Sequence, residues 1–299
     1  MSVFSVLLRR NVRLFFKDKG MFFTALITPM ILLVLYVTFL GKVYRDSFLM
    51  SLPEGMTVAD RLLNGYVGGQ LISSILAVSC VTVAFCSNML MVQDKATSVR
   101  CDLTVSPVKP SLLAVSYFGA TLLSTLLICL VAATACLAYV ACVGWYLSVA
   151  DVLLMLLDVL LLSLFGTALS SVIGFFLSTQ GQISAVGSIV SSCYGFICGA
   201  YMPISQFPEG LQKVIAFLPG TYGTALMRNH ALQGVAAAME EAGLPEAVVT
   251  SMLDAVDCRI AFLGTVVPTW GMYAVLTGSV AVLLGIYVFL CARRQKKSV

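Results

Sequence analysis

The sequence predicts an all-α integral membrane protein, and three observations carry that prediction. Of 299 residues 60% are hydrophobic and only 11% charged, with a mean hydropathy of +0.99; soluble domains carry about 25% charged residues. Six apolar runs each approach or exceed the roughly 20 residues that a hydrocarbon core demands. The chain opens instead on a segment that is amphipathic at helical spacing, with Phe4, Leu7, Leu8, Val12, Phe15 and Phe16 against Arg9, Arg10, Arg13 and Lys17. The expected architecture is an N-terminal amphipathic interfacial helix, six transmembrane helices, and short re-entrant outer helices between the fifth and sixth.

Residues 1–20 suit a helix in the membrane interface, basic residues toward anionic headgroups; the plainer reading is a basic flank that orients the first span. The arginines interrupt the first apolar run and no small-residue cleavage site follows, so no cleavable leader is expected. Hydropathy places the spans at about Met21–Leu40, with Pro29 as an internal kink, then Tyr66–Val92, Ser111–Val143, Val152–Leu177, Gln182–Tyr201 and Thr269–Ala292. With the N-terminus inside, twelve Lys/Arg fall in the inner segments and six in the outer ones (Lys42, Arg45, Arg61, Lys213, Arg228, Arg259). Basic residues favour the cytoplasmic side, which puts both termini there. The chain reads as one membrane domain, 1–299, with outer segments 41–65 and 202–268. Within the latter, 236–260 reads as an acidic, solvent-facing helical excursion.

Chemistry-bearing motifs are few. Eight of ten cysteines fall in apolar segments, where cysteine behaves as a small hydrophobe; Cys101 and Cys258 fall in loops, and no Cys/His spacing points to a metal. The sequence contains no G-x-x-x-x-G-K-[ST], no H-E-x-x-H and no G-x-S-x-G, so neither a catalytic site nor a nucleotide cradle is expected in this chain. Asp158 is the one formal charge well inside a span, about seven residues from the outer end of the fourth, roughly 10 Å deep at 1.5 Å per residue. A carboxylate there is costly and a functional candidate by default, unless partners satisfy it. Asn88, Gln70 and Gln180 read as hydrogen-bonding glue between helices. The pairs Gly65/Gly69, Gly195/Gly199 and Ser188/Ser192 permit close helix approach.

Two segments are more specific. Between the second and third spans, residues 93–110 carry Asp94, Lys95, Thr97, Arg100 and Asp102 in a helix-compatible stretch that Ser106-Pro107 and Lys109-Pro110 end. It reads either as a helix that transmits a push from a soluble partner or as a solvated connector. After the fifth span, residues 199–234 give a small-residue exit, Met202-Pro203, Pro208, two short apolar pieces split by Leu218-Pro219-Gly220, and a lone Arg228. Arg228 is expected to satisfy helix-end carbonyls or lipid phosphates.

With those motifs the chain resembles the permease subunit of a type-2 ABC exporter of G-subfamily-like fold. The N-terminal helix resembles that family's interfacial connecting helix. Asp94-Lys95, Thr97, Leu103 and Ser106-Pro107 resemble its coupling segment, with Ala96 where glycine is common. Met202-Pro203, Pro208, Leu218-Pro219, Tyr222 and Arg228 resemble its signature after the fifth span. The resemblance implies a complex of two permeases, identical or homologous, and two copies of a separate ABC ATPase that binds ATP and magnesium, with no nucleic acid involved. Asp94, Lys95, Thr97, Arg100 and Asp102 would couple to the ATPase. Substrate would pass between permease copies, lined mainly by the second and fifth spans, with Asn88, Asp158, Tyr194, Phe196, Tyr201, Pro203 and Pro219 as path and exit candidates. The implied activity is export of a hydrophobic or amphipathic compound (a drug, antibiotic, peptide or lipid) from a bacterial cell membrane. A polysaccharide or glycolipid exporter is the runner-up, its rail Tyr66, Phe85, Tyr194, Phe196 and Tyr201. A channel or secondary carrier, and a sensor that binds without transporting, are the readings from other classes.

Overall fold

In the computed structural model, residues 2–51, 58–97, 99, 103, 108–262 and 264–296 are described. Arg100, Asp102 and Ser106-Pro107 lie outside them.

Helix α1 (Val3–Lys17) starts at Ser2, whose hydroxyl accepts the Ser5 N–H. Asp18 ends it and caps α2 (Lys19–Leu35) by accepting the Met21 N–H at 3.1 Å. The chain runs helically through Pro29. The irregularity lies later, in a π-turn at Tyr36–Leu40, after which α3 (Gly41–Ser51) continues the rod beyond the expected end of the span. Tyr36 is fully buried there and donates to the Ala200 carbonyl at 3.2 Å.

Helix α4 (Asp60–Ala96) has 37 residues, about 55 Å at 1.5 Å per residue. It therefore extends past a hydrocarbon core of about 30 Å. Of its most apolar 18-residue window 89% is buried within the chain, against 18% for the α2–α3 rod. It is the central post, touched by α2 and by the helices Pro110–Val143, Val149–Phe176, Gln180–Ile197 and Pro219–Glu241. Pro110 sits at the first turn of α5 (Pro110–Val143), where its missing N–H costs nothing. Helix α6 (Val149–Phe176) opens on a capping box between Ser148 and Asp151, and α7 (Gln180–Ile197) on another between Thr179 and Gln182.

Among the described residues five helical stretches are long and apolar enough to cross a membrane: Lys19–Met50, Asp60–Ala96, Ser111–Val143, Val149–Phe176 and Thr269–Arg293. The fifth expected span, α7, is not among them. Its 18 residues rise about 27 Å, and Gln182, Ser184, Ser188, Ser191 and Ser192 dilute its hydropathy.

The outer segment departs most from expectation. A 3-10 turn (Ile204–Gln206) and α8 (Glu209–Ala216) are short, as anticipated, but α9 (Pro219–Glu241) is one helix of 23 residues rather than a short apolar piece. It runs antiparallel to α4, with Arg228 beside Ser74, Ala231 against Gly69 and Val235 against Gly65. A β-carbon on Gly69 would stand 2.6 Å from the Ala231 carbonyl oxygen, so this contact exists because residue 69 has no side chain. The expected acidic excursion is split. Glu240, Glu241, Glu246 and Asp254 are exposed on the end of α9 and on α10 (Glu246–Ala255), whereas Met239 and Asp257 are buried. A two-residue hairpin, β1 (Ala261–Phe262) and β2 (Thr265–Val266), leads into α11 (Thr269–Lys296).

Candidate functional site

At one end of α4 the chain ties its own elements together. Asp94 is buried, receives Arg10 Nη1 from α1 at 2.7 Å, and accepts the Tyr117 hydroxyl from α5. Lys95 turns the other way. Its Nζ donates to the carbonyls of Gly174, Phe175 and Leu177 at 2.8, 3.0 and 3.2 Å, which closes the unpaired, partially negative C-terminus of α6. Thr97 donates back to the Gln93 carbonyl. Around these groups Leu7, Met91, Val92, Leu113, Tyr117 and Ile183 form a separate small core. The apolar side of α1 is thus spent largely on α5, with Leu8 and Phe4 beside Gly119. Of the expected coupling residues, Asp94 and Lys95 bind within the chain. Tyr287 of α11 reaches Met91 and the Ala114 carbonyl, so α1 and the last turns of α11 lie at the same end of the bundle.

Beside this joint is a cavity of about 400 Å³ lined from α2, α4, α6 and α7, including Phe85, Cys86, Asn88, Met89, Ser170 and Ser188. Its wall on α4 is narrow because the rest of that helix is inside the protein. On α7, Ser184, Ser188 and Ser192 face outward with Ile189. Asn88 donates to the Ser170 carbonyl at 2.6 Å and stands at the cavity wall, so it binds helices and lines space at once.

At the far end of α7, Gly199 (φ +72°) reverses the chain, and the Ala200 and Tyr201 N–H groups both return to the Gly195 carbonyl. Arg228 plugs the opening this leaves. It is 1% exposed, donates to the carbonyls of Val256 (2.7 Å) and Gly199, reaches Ser74 at 3.4 Å, and pairs with Asp257 at 3.5 Å. These are helix-end carbonyls, the first of the two partner types the sequence suggested. Asp257 also accepts the Ile204 N–H at 2.6 Å. Burial pushes its carboxyl above the usual carboxylate range, against the opposing pull of Arg228 and the backbone N–H.

The exit candidates separate. Tyr194 is buried under Gly220, near which Pro219 starts α9. Phe196 is half-exposed and meets Tyr201 edge-on at 5.1 Å. Tyr201 and Pro203 line a cavity of about 280 Å³ with Tyr44, Phe48 and Tyr66. Phe85 lies on the other cavity, so the five rings do not make one row. A third space, about 650 Å³, opens between α8, α10 and the hairpin. Cys258, expected in a loop, lies in the bend after α10 and is buried.

Asp158 is fully buried, nine residues into α6, and has two partners. His230 Nδ1 of α9 stands 2.6 Å from one carboxyl oxygen, and the Tyr273 hydroxyl of α11 donates to the other at 2.9 Å. Sequence inspection missed both; the available signal was that the chain's only histidine lies two residues from the lone Arg228 in an apolar stretch.

A central post wrapped by long apolar helices, with α9 packed antiparallel beside it, defines a polytopic helical membrane domain. The profile of the ABC-2 type transporter family matches residues 2–231, and the chain belongs to that family: it is an ABC-transporter permease, an integral membrane component that works with an ABC ATPase. No curated relative matches it.

Proposed function

We propose that this permease supplies half of the membrane path of an ATP-driven exporter for a hydrophobic or amphipathic molecule, in a complex of two permeases and two ATPase subunits. The observation that carries the reading is the 400 Å³ cavity of mixed apolar and small polar lining beside the Arg10–Asp94–Tyr117 joint. Cargo that enters from the cytoplasmic side or inner leaflet meets serines and thioether or aromatic carbon together, which suits an amphiphile. Burial of Tyr194 and separation of Phe85 from Tyr66 and Tyr201 remove support for a continuous aromatic rail, so a glycan polymer is the weaker cargo.

The orientation follows from charge and geometry together. The joint end holds both α1 and the last turns of α11, and the basic bias puts that end in the cytoplasm. A plasma or bacterial inner membrane fits it. Asp94 and Lys95 then act as the fixed base of the coupling segment, Thr97, Arg100 and Asp102 as its ATPase-facing part. Helix α9 and the Gly199 turn form the exit side.

The test is reconstitution with the partner ATPase in sealed vesicles. Uptake of a fluorescent amphiphile into inside-out vesicles is expected to need hydrolysable ATP. Ser188→Trp, which fills the cavity, is expected to lower uptake at least tenfold, while Val282→Trp on an exposed face of α11 leaves it unchanged. Nucleotide-independent transport at the same rate rejects the reading.

A further inference from the structure

The cavity of about 400 Å³ beside the Asp94 joint has a lining without formal charge. Thr24, Asn88 and serines of α6 and α7 supply its polar surface, and Phe85, Met89, Ile173 and Leu177 part of its apolar surface. Among the described residues no carboxylate, ammonium or guanidinium reaches its wall. The charges at the adjoining joint are spent. Asp94 holds Arg10. The Lys95 ammonium has three N–H donors, and its Nζ donates to the carbonyls of Gly174, Phe175 and Leu177. Gly174 and Leu177 belong to the cavity wall, so this cation stands behind that wall with its donors already used.

The serines of α7 differ from hydroxyls on the neighbouring helices. On α4 and α5, Ser79, Thr82, Thr125 and Thr134 each donate back to the carbonyl four residues earlier. That bond satisfies a hydroxyl inside an apolar helix without any outside partner. The hydroxyls of Ser184, Ser188, Ser191 and Ser192 make no such bond and have no partner among the described residues. All four line the cavity. Each can donate one hydrogen bond and accept others, so the wall presents unused hydroxyls to whatever lies in the cavity.

We propose, resting on the export reading, that this cavity selects cargo by charge: it takes an amphiphile whose polar part is uncharged and carries hydroxyl or amide groups, held by Ser184, Ser188, Ser191 and Ser192, and it rejects the same amphiphile with an ionic head. An ionic head that enters exchanges water for a wall without a counter-charge, and an ion desolvated without a partner is far costlier than a desolvated hydroxyl. A hydroxyl or amide head exchanges its bonds to water for bonds to serine, a nearly balanced trade.

The test uses the permease–ATPase complex in sealed inside-out vesicles and fluorescent probes that share one alkyl chain and one uncharged dye. They differ only in the head, which is glycerol, trimethylammonium or sulfonate. At equal loading of the bilayer, ATP-dependent uptake of the glycerol probe by the wild type is expected to exceed that of either ionic probe at least about tenfold. Ser191→Asp, which puts a negative charge on the wall, is expected to raise uptake of the trimethylammonium probe relative to the glycerol probe at least about tenfold. An ionic probe carried by the wild type at more than about a tenth of the glycerol rate overturns the proposal, even if the Ser191→Asp complex does not assemble. So does a Ser191→Asp complex that transports and keeps the wild-type order of probes. Uptake of all the probes at the same rate without ATP rejects the export reading instead, which keeps the two failures apart.

Discussion

At the scale of single residues, the joint between α7, α9 and α10 rests on a buried cation. Arg228 is one of the largest fully buried side chains among the described residues, and its fork joins the ends of two helices, at Gly199 and at Val256. Removing one partner of such a pair costs about 3–5 kcal/mol, because the other charge stays buried and uncompensated. Arg228→Ala should therefore abolish recovery of folded protein in detergent. Arg228→Lys should recover only part of it, since one ammonium cannot span the Val256 and Gly199 carbonyls together. Asp257 carries a pH dependence with a definite sign. Burial makes its folded form hold a proton more tightly than the unfolded chain, whose carboxyl titrates near about 3.9. That contribution is complete at low pH and is lost as pH rises from the unfolded value through the folded one. Asp257→Asn retains an acceptor for Ile204 and tolerates φ +57°. It should flatten the slope of melting temperature against pH in that window. A variant with an unchanged slope assigns the dependence elsewhere. These partners lie 28 or 29 residues from Arg228 in the chain, which is why the sequence showed a lone arginine and nothing of what it binds.

At the scale of elements, amphipathicity and proline told where helices start, and charge told less about where they point. The capping pairs Ser148/Asp151 and Thr179/Gln182 and the proline at the head of α5 are local signals, so the boundaries of α5 and α6 fell within three residues of expectation. The split at Leu218-Pro219-Gly220 falls where α8 gives way to α9, but the length of α9 was misjudged. Proline at a first helical position is a start, and the buried Arg228 and His230 disguise a core helix as an irregular one. The polar stretch from residue 93 was read as a helix that takes a push from a partner or as a solvated connector, yet its Asp94 and Lys95 lie in the last turn of α4 and bind within the chain. Lys95→Met should expose three carbonyls at the end of α6 and lower stability by about 1–2 kcal/mol, measured by thermal unfolding. Arg10 and Asp94 pose a sharper question. Arg10→Asp or Asp94→Arg alone should separate ATP hydrolysis from transport in the reconstituted complex, because α1 loses its tie to the coupling segment. The exchanged pair should restore at least part of the coupling, and failure to restore any would reduce the ion pair to a packing contact.

At the scale of the whole molecule, two different devices hold the two ends of one post. The Asp94 end is fastened by Asp94 and Lys95, which bind Arg10 of α1, the Tyr117 hydroxyl of α5 and carbonyls at the end of α6, the opposite end by α9, which fits only where glycine permits. That division was legible in part. Hydropathy and the basic bias described a membrane domain with unequal ends, whereas the depth of α9 depended on packing against Gly69, which spacing alone does not reveal. Gly69→Val separates the two ends experimentally. Its side chain would collide with the Ala231 backbone at 2.6 Å, and backbone cannot rotate aside as a side chain does. Overpacking of this kind costs about 1–3 kcal/mol, and α9 is the element free to yield. Gly278→Val and Gly285→Val on α11 meet nothing within 4 Å and serve as controls for added bulk. If the post transmits motion from the ATPase end to an exit wedge, Gly69→Val should leave ATPase binding intact, since every contact at the Asp94 joint is preserved. ATP hydrolysis should continue while transport falls severalfold. Loss of ATPase binding in the same variant would mean that the two ends are not separable and that α9 stabilises the whole bundle rather than its exit.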